Sequence, residues 1–294
     1  MSSILNIPQS FTGSIEGGIC LSSTDRLLVN AEAKKAFFES GYLILRGVFE
    51  SKSDDLLKSC KRMFEEVIDE ISKEAYSCKE DEQIIYLRGS QVVFRKEEGI
   101  SPSILRIVGC GSYDDDLLQF SRSKEIVNAF SALLSSRELE HIICQFHPKS
   151  PGDKVFFPRH KDISNRRLFD PDWQEVGQDC SFIIGVVALD EMTDQNGPLV
   201  IEPLSHLGPS QSSPVTLNMK AGDILFMHPE LYHYSKANQS DSSRMTLLTG
   251  YCVSGANHAN YPGNCSNELI SVNPNGSFQT QPAPWKKEFP DSSS

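Results

Sequence analysis

The sequence predicts a mainly β protein, a sandwich or barrel with helices ahead of it. Two observations carry this. From Glu138 onward the segments "LEHIICQFH", "KVFFPRHKDI", "CSFIIGVVALD", "PLVIEPLSH", "SPVTLNM", "GDILFMH" and "MTLLTGYCV" are short, apolar and rich in β-branched residues, with Gly, Pro, Asn, Asp and Ser clustered between them. Before Glu138 the apolar residues recur instead at helical spacing.

The first third reads as helical with one strand. "NAEAKKAFFESG" begins on Asn30, a side chain suited to capping, and stops at Gly41, which tolerates the left-handed helix end. "YLILRGVF" follows as a strand. "SDDLLKSCKRMFEEVIDEISKEA" places Leu56, Cys60, Met63, Phe64, Val67 and Ile71 on one face, behind Ser53 as cap. A third helix, about 123–134, groups Ile126, Phe130, Leu133 and Leu134. The tail "PNGSFQTQPAPWKKEFPDSSS" is turn-rich and reads as irregular. No linker separates the helical and β parts, so one domain is expected over 1–294, helix-rich to about 137, with its β core at about 138–260.

Composition narrows the function. A formal net charge of −11 argues against nucleic acid or an anionic membrane as partner, since both need clustered positive charge. No stretch reaches the roughly 18–20 apolar residues of a membrane helix. The start "MSSILNIPQSFTGSIEGG" lacks a basic region followed by an apolar run, so no secretory signal is expected. Eight scattered cysteines without a CxxC pair read as free thiols of a cytoplasmic protein.

The stretch "FFPRHKDIS" holds His160 and Asp162 two apart in a predicted strand, where alternate side chains share a face and both reach one ion. A non-haem Fe(II) site needs two His and one carboxylate, with further positions open. "AGDILFMHPELYHYSKANQSDSSRMTLLTGY" offers His228 and His233 as the third ligand. His233 is favoured. Ser235 shares its strand face and Arg244 follows across a turn, whereas Pro229 directly after His228 ends the ladder. A 2-oxoacid chelated by iron leaves its far carboxylate needing a fork-shaped, permanently charged donor, and Arg244 is one.

"RHKD", "VVALDEMTDQNGPLVIEPLSHLG" and "MKAGDILFMHPELYHYSKANQSDSSRMTLLTGY" together resemble the phytanoyl-CoA dioxygenase family, as do "QFHPKSPG" and "FFESGYLILRGVF" upstream. The similarity spans about residues 30–260. It implies a double-stranded β-helix, a jelly roll of the cupin type, and an oxygenase that uses Fe(II), 2-oxoglutarate and O2. It also implies His160, Asp162 and His233 as iron ligands, and Arg244 with Ser235 as anchors of the 2-oxoglutarate C5 carboxylate. Arg106 stands where some members carry a basic residue touching the cosubstrate, and Gln145, His147 and Phe157 would line the same pocket. Halogenases of this kind replace the acid with a small residue, and Asp162 is present. Two departures, Lys161 where many members have Gln and "IEPLSH" for a commoner "I-P-G-S-H", leave the ligands intact.

The expected reaction is oxidation of a C–H bond in a small organic metabolite, with release of succinate and CO2. Pocket walls are expected from "QIIYLRGSQVVF" and "DISNRRLFDPDW", making Tyr86, Arg88, Phe94, Arg166, Arg167 and Trp173 candidate substrate contacts. A carboxylate-bearing substrate fits Arg166 and Arg167, while no basic cluster suits the phosphates of an acyl-CoA. The alternatives are an acyl-CoA hydroxylase within the family, a cupin-type metalloenzyme without 2-oxoglutarate, and a non-catalytic binding protein.

Overall fold

The computed structural model describes residues 12–13, 29–73, 79–96, 101–209, 212–263, 265 and 268–284. A short strand β1 (Thr12–Gly13) is followed by α1 (Ala31–Ser40), β2 (Tyr42–Leu45) and α2 (Glu50–Lys73). Both expected ends of α1 are present. The Asn30 side chain accepts from the Ala33 amide at 2.8 Å, and Gly41 closes the helix at φ +87°. A Cβ on Gly41 would meet His206 Nδ1 at 2.5 Å, so close approach as well as conformation selects glycine. The start of α2 differs from expectation. It begins three residues before Ser53, whose hydroxyl donates to the Glu50 carbonyl inside the first turn. Leu56, Cys60, Met63, Val67 and Ile71 are buried along one face, as the periodicity predicts.

Residues 79–108 depart from the helical reading. They form the antiparallel strands β3 (Lys79–Leu87), β4 (Ser90–Lys96) and β5 (Ser103–Val108). The β3–β4 turn is Arg88–Gly89, with φ +48° and +81°, a two-residue connection matched to strand twist. Next come α3 (Asp115–Ser121) and α4 (Lys124–Leu133). Helix α4 is the predicted third helix, whereas α3 is too short for periodicity to reveal.

The β core contains β6 (Glu138–His147), β7 (Phe157–His160), then α5 (Asp162–Phe169), β8 (Phe182–Ala188), β9 (Leu199–Ile201), β10 (Val215–Thr216) and β11 (Ile224–Met227). It continues through β12 (His233–Ser235), β13 (Thr246–Val253), β14 (Glu268–Val272) and β15 (Phe278–Pro282). The last two strands form a hairpin where an irregular tail is expected, and β14 pairs with β6.

Two sheets result. The larger runs β1-β2-β11-β8-β13-β6-β5-β4-β3, and the smaller runs β10-β9-β12-β7. This is the jelly roll, with the N-terminal strands β2 to β5 extending the sheet that the core strands begin. Strand β8 explains how the layers hold together. Ile184, Val186 and Ala188 face an apolar layer with Ile201, Leu217 and Leu231, while Ile183 and Val187 face the helices through Phe37, Phe130 and Met63. Both faces of the large sheet are therefore covered, and its central strands read as unbroken apolar runs rather than alternating ones. Six of the eight cysteines fall among the described residues, and all are free thiols. No helix among the described residues is long and apolar enough to cross a membrane.

Candidate metal and cosubstrate site

Strands β7 and β12 pair antiparallel with His160 directly opposite His233, and their ring centroids lie 4.3 Å apart. Asp162 does not share their strand. The strand stops at His160, Lys161 is an extended link, and Asp162 opens α5. The turn still delivers the carboxylate: Asp162 Oδ1 is 3.5 Å from His160 Nε2 and 3.6 Å from His233 Nε2. One ligand atom from each residue lies within 4.8 Å of the others.

Three features make this trio fit a divalent cation. His160 Nδ1 is 2.7 Å from the Pro158 carbonyl and His233 Nδ1 is 3.1 Å from that of Leu231. With Nδ1–H donating to each carbonyl, both Nε2 lone pairs face Asp162, the usual means of fixing a metal-binding imidazole. Asp162 Oδ2 is buried without a hydrogen-bond partner, an arrangement that a cation would relieve. Finally, two imidazoles and one carboxylate form the donor set of non-haem Fe(II) sites. Burial lowers the His233 pKa, only partly opposed by Asp162. At His160 burial acts likewise, but the hydrogen bond and charge of Asp162 outweigh it and the pKa rises. Burial would raise the Asp162 pKa, yet the neighbouring imidazoles hold it below the usual carboxylate range.

The trio opens into a cavity of about 390 Å³ between the sheets. Arg244 lies in it, 3% exposed, and the connection from β12 reaches it by crossing between the sheets rather than by the expected hairpin. Its Nε and Nη2 donate to the Gly197 carbonyl and its Nη1 to Thr246 Oγ1 at 3.0 Å. Burial brings its pKa down to about 10. Ser235 lines the same wall and accepts from Lys149 Nζ at 2.9 Å. Lys149 is fully buried and also donates to the Lys236 carbonyl; burial, then repulsion from Arg244, brings its pKa down to about 7. Sequence reasoning missed this lysine, because "HPKSPG" contains nothing that distinguishes a buried ammonium from a loop lysine.

Arg106, Gln145, His147 and Phe157 also line the cavity. Gln145 bonds His147 Nε2 and accepts from Tyr261 Oη at 3.0 Å, and the His147 ring stacks on Phe157 at 5.1 Å. The expected substrate contacts fare differently, and only Arg166 lines the cavity. Tyr86 is 58% exposed on β3, Arg88 is the hairpin turn and pairs with Glu66, and Phe94 is buried in the outer core. The hairpin explains all three, since it aims their side chains away from the trio. Arg167 points outward to Glu175, and Trp173 is buried behind Arg166. His228 is held away from the trio, against the rings of Phe37, Phe38 and His206, and burial brings its pKa down to about 4.

The family model of phytanoyl-CoA dioxygenase (PhyH) matches residues 37–246. The chain belongs to this family. Members of the phytanoyl-CoA dioxygenase family are Fe(II)- and 2-oxoglutarate-dependent oxygenases, and solved structures agree in fold. The structure of EctD from S. alaskensis with 2-oxoglutarate and 5-hydroxyectoine matches with a TM-score of 0.60 at 17% identity, covering 80% of this chain and 79% of EctD. The non-heme alpha ketoglutarate-dependent carbocyclase SnoK from nogalamycin biosynthesis matches at 0.59 and 19%, covering 83% of this chain and 91% of SnoK. The epimerase SnoN from the same biosynthesis matches at 0.55 and 17%, covering 76% and 81%. The two nogalamycin enzymes are named for different reactions, a carbocyclase and an epimerase, so the shared fold does not choose the reaction.

Proposed function

We propose that the chain is an oxygenase that oxidises a C–H bond of a small organic metabolite, using Fe(II), O2 and 2-oxoglutarate. The observation that carries the reading is a single cavity with the His160–Asp162–His233 trio in its wall and the buried Arg244 beside Ser235. The first suits a divalent metal. The second suits a carboxylate. A 2-oxoacid with a second carboxylate needs both at once.

His160 and His233 would bind Fe(II) through Nε2 and Asp162 through its carboxylate. Iron held by these three residues would supply the coupling of 2-oxoglutarate decarboxylation to substrate oxidation, with the overall balance R–H, 2-oxoglutarate and O2 to R–OH, succinate and CO2. The protein's residues bind, orient and exclude water. Pro158 and Leu231 hold the two imidazoles in one tautomer. Arg244, kept in place by the Gly197 carbonyl and Thr246, anchors the distal carboxylate with help from Ser235. Ile184, Val186, Met227 and Leu248 give the cavity an apolar wall that limits water near the reacting carbon.

The test is an anaerobic titration of the Fe(II)-loaded protein with 2-oxoglutarate, following the weak visible charge-transfer band of the chelate. The band is expected in the native protein and should vanish in His233→Ala. Iron binding without a band would reject 2-oxoglutarate as cosubstrate and favour a cupin-type metalloenzyme that does without it.

A further inference from the structure

A second cationic position in the cavity lies apart from the one assigned to 2-oxoglutarate. Helix α5 opens with Asp162, and Arg166 follows four residues later on the same face. Arg166 is 5% exposed and lines the cavity. Its guanidinium packs over three aromatic rings, with its carbon 4.7 Å from the centroid of Tyr261, 5.6 Å from Trp173 and 6.0 Å from Phe182. Among the described residues it forms no ion pair, and its Nε and Nη1 are buried without an acceptor.

Physical chemistry makes this arrangement costly for a purely structural residue. Ring faces attract the charge and the Tyr261 hydroxyl takes one hydrogen bond from the guanidinium, but a guanidinium is a set of directed N–H donors, and here Nε and Nη1 find no oxygen. A buried cation without a counter-ion is stable only if something else supplies the negative charge. Asp162, on the same helix face, is near enough to feel the Arg166 charge, but no ion pair joins the two and the carboxylate leaves Nε and Nη1 without an acceptor. Glu82 is at the cavity wall, but its carboxylate lies near Arg95 and Arg106. Arg166 is therefore a fork of donors, held rigid by rings, at the edge of a cavity that also opens on the metal-binding trio.

We propose that Arg166 is the anchor for the primary substrate, and that this substrate is a small organic acid whose carboxylate it binds. The inference rests on the oxygenase reading above, in which Arg244 and Ser235 are already committed to 2-oxoglutarate. A single guanidinium matches a monoanionic carboxylate in charge and in its two-pronged geometry. Four helical residues span about 6 Å along the axis, so the carbon presented for oxidation lies only a few bonds from the acid group. The same geometry disfavours an acyl-CoA. Its thioester is neutral, and its phosphates lie too far from the acyl carbon to reach an arginine buried beside the trio.

The experiment uses the anaerobic protein carrying Fe(II) and 2-oxoglutarate. Hexanoate with hexanamide, 3-phenylpropionate with 3-phenylpropionamide, and hexanoyl-CoA are titrated in turn. Binding is read from changes in the visible band and from the melting temperature. The acids are expected to bind at least about tenfold more tightly than their amides, the size of one charge-assisted hydrogen bond. Arg166→Gln should erase that preference while leaving 2-oxoglutarate affinity within about twofold. Arg166→Lys, which keeps the charge and guards against misfolding, should retain part of it. Equal binding of acids and amides, or no binding of either while the band persists, overturns the proposal. Preference for hexanoyl-CoA over hexanoate also overturns it, as does an equal loss of 2-oxoglutarate and acid affinity in Arg166→Gln. Absence of the band in the native protein instead rejects the oxygenase reading, so the two failures are distinct.

Discussion

Lys149 and Arg244 exchange both of their backbone hydrogen bonds, at 3.0 and 2.9 Å, just beyond the ends of β6 and β13. This sets two buried cations side by side, and neither forms an ion pair among the described residues. Paired buried cations repel each other and are costly unless an anion joins them.

The first prediction concerns that anion. Lys149→Met should weaken 2-oxoglutarate binding about 10- to 100-fold, the range of a hydrogen bond to a charged group. Fe(II) affinity should change by no more than about threefold, because Lys149 lies outside the trio. Calorimetric titration of each ligand in turn distinguishes the two, and equal losses would reduce Lys149 to a role in folding.

The same lysine predicts a pH dependence. Its pKa in the free protein is brought down to about 7, chiefly by burial. A bound carboxylate favours the ammonium form, so above pH 7 binding must take up a proton. The 2-oxoglutarate affinity should therefore fall as pH rises from 7 to 9, by up to about tenfold per unit. In Lys149→Met that slope should flatten, and an unchanged slope would place the titration on another group.

These expectations show where sequence was sufficient and where it was not. All seven predicted core segments contain strands, because apolar runs punctuated by turn residues report burial directly. His160, Asp162, His233, Ser235 and Arg244 converge as their motifs suggest, although Asp162 arrives by a helix start and Arg244 by a crossing between sheets. The helical reading of residues 79–108 failed because "QIIYLRGSQVVF" turns on Arg88–Gly89, and Arg is an unusual residue at positive φ. Lys149 and Arg166 were illegible as buried cations. Their burial depends on Phe157, Trp173 and Tyr261, which tertiary folding alone brings near.

Removing the ligand carboxylate should separate activity from stability. Asp162→Ala is expected to cut succinate production more than about 100-fold, since even supporting residues of metal sites cost 10- to 100-fold. The metal-free fold should change by no more than about 1 kcal/mol, because the variant also removes a buried oxygen without a partner. Urea unfolding in chelator checks the second half, and unimpaired succinate production would reject Asp162 as a ligand.

The two neighbouring histidines should behave oppositely. His233→Ala deletes a nitrogen that faces Asp162 and should abolish tight Fe(II) binding. His228→Ala should leave Fe(II) affinity within about threefold, because its ring packs on Phe37 and Phe38 and its Nδ1 accepts from the Glu230 amide. Iron lost from His228→Ala and retained in His233→Ala would exchange the assignments.

Acid stability follows from a histidine far from the metal. His141 is fully buried and stacked on Tyr251 at 4.7 Å; Arg122 Nε donates to its Nδ1, and its Nε2–H donates to the Ile143 carbonyl. Burial and then the Arg122 charge bring its pKa down to about 3. The unfolded chain binds that proton near pH 6.5, so between about 6.5 and 3 the unfolded state holds more protons than the folded one. Stability is thus fully present above pH 6.5 and declines as pH falls through this window. His141 alone should cost roughly 2 to 3 kcal/mol by pH 4.5, and buried His228 adds to the loss. Urea midpoints measured in chelator at pH 7 and pH 4.5 give the slope. His141→Gln cannot take up the proton and should lose less between the two conditions, even if it is weaker at pH 7. A slope as steep as that of the native protein would assign the acid sensitivity to other groups.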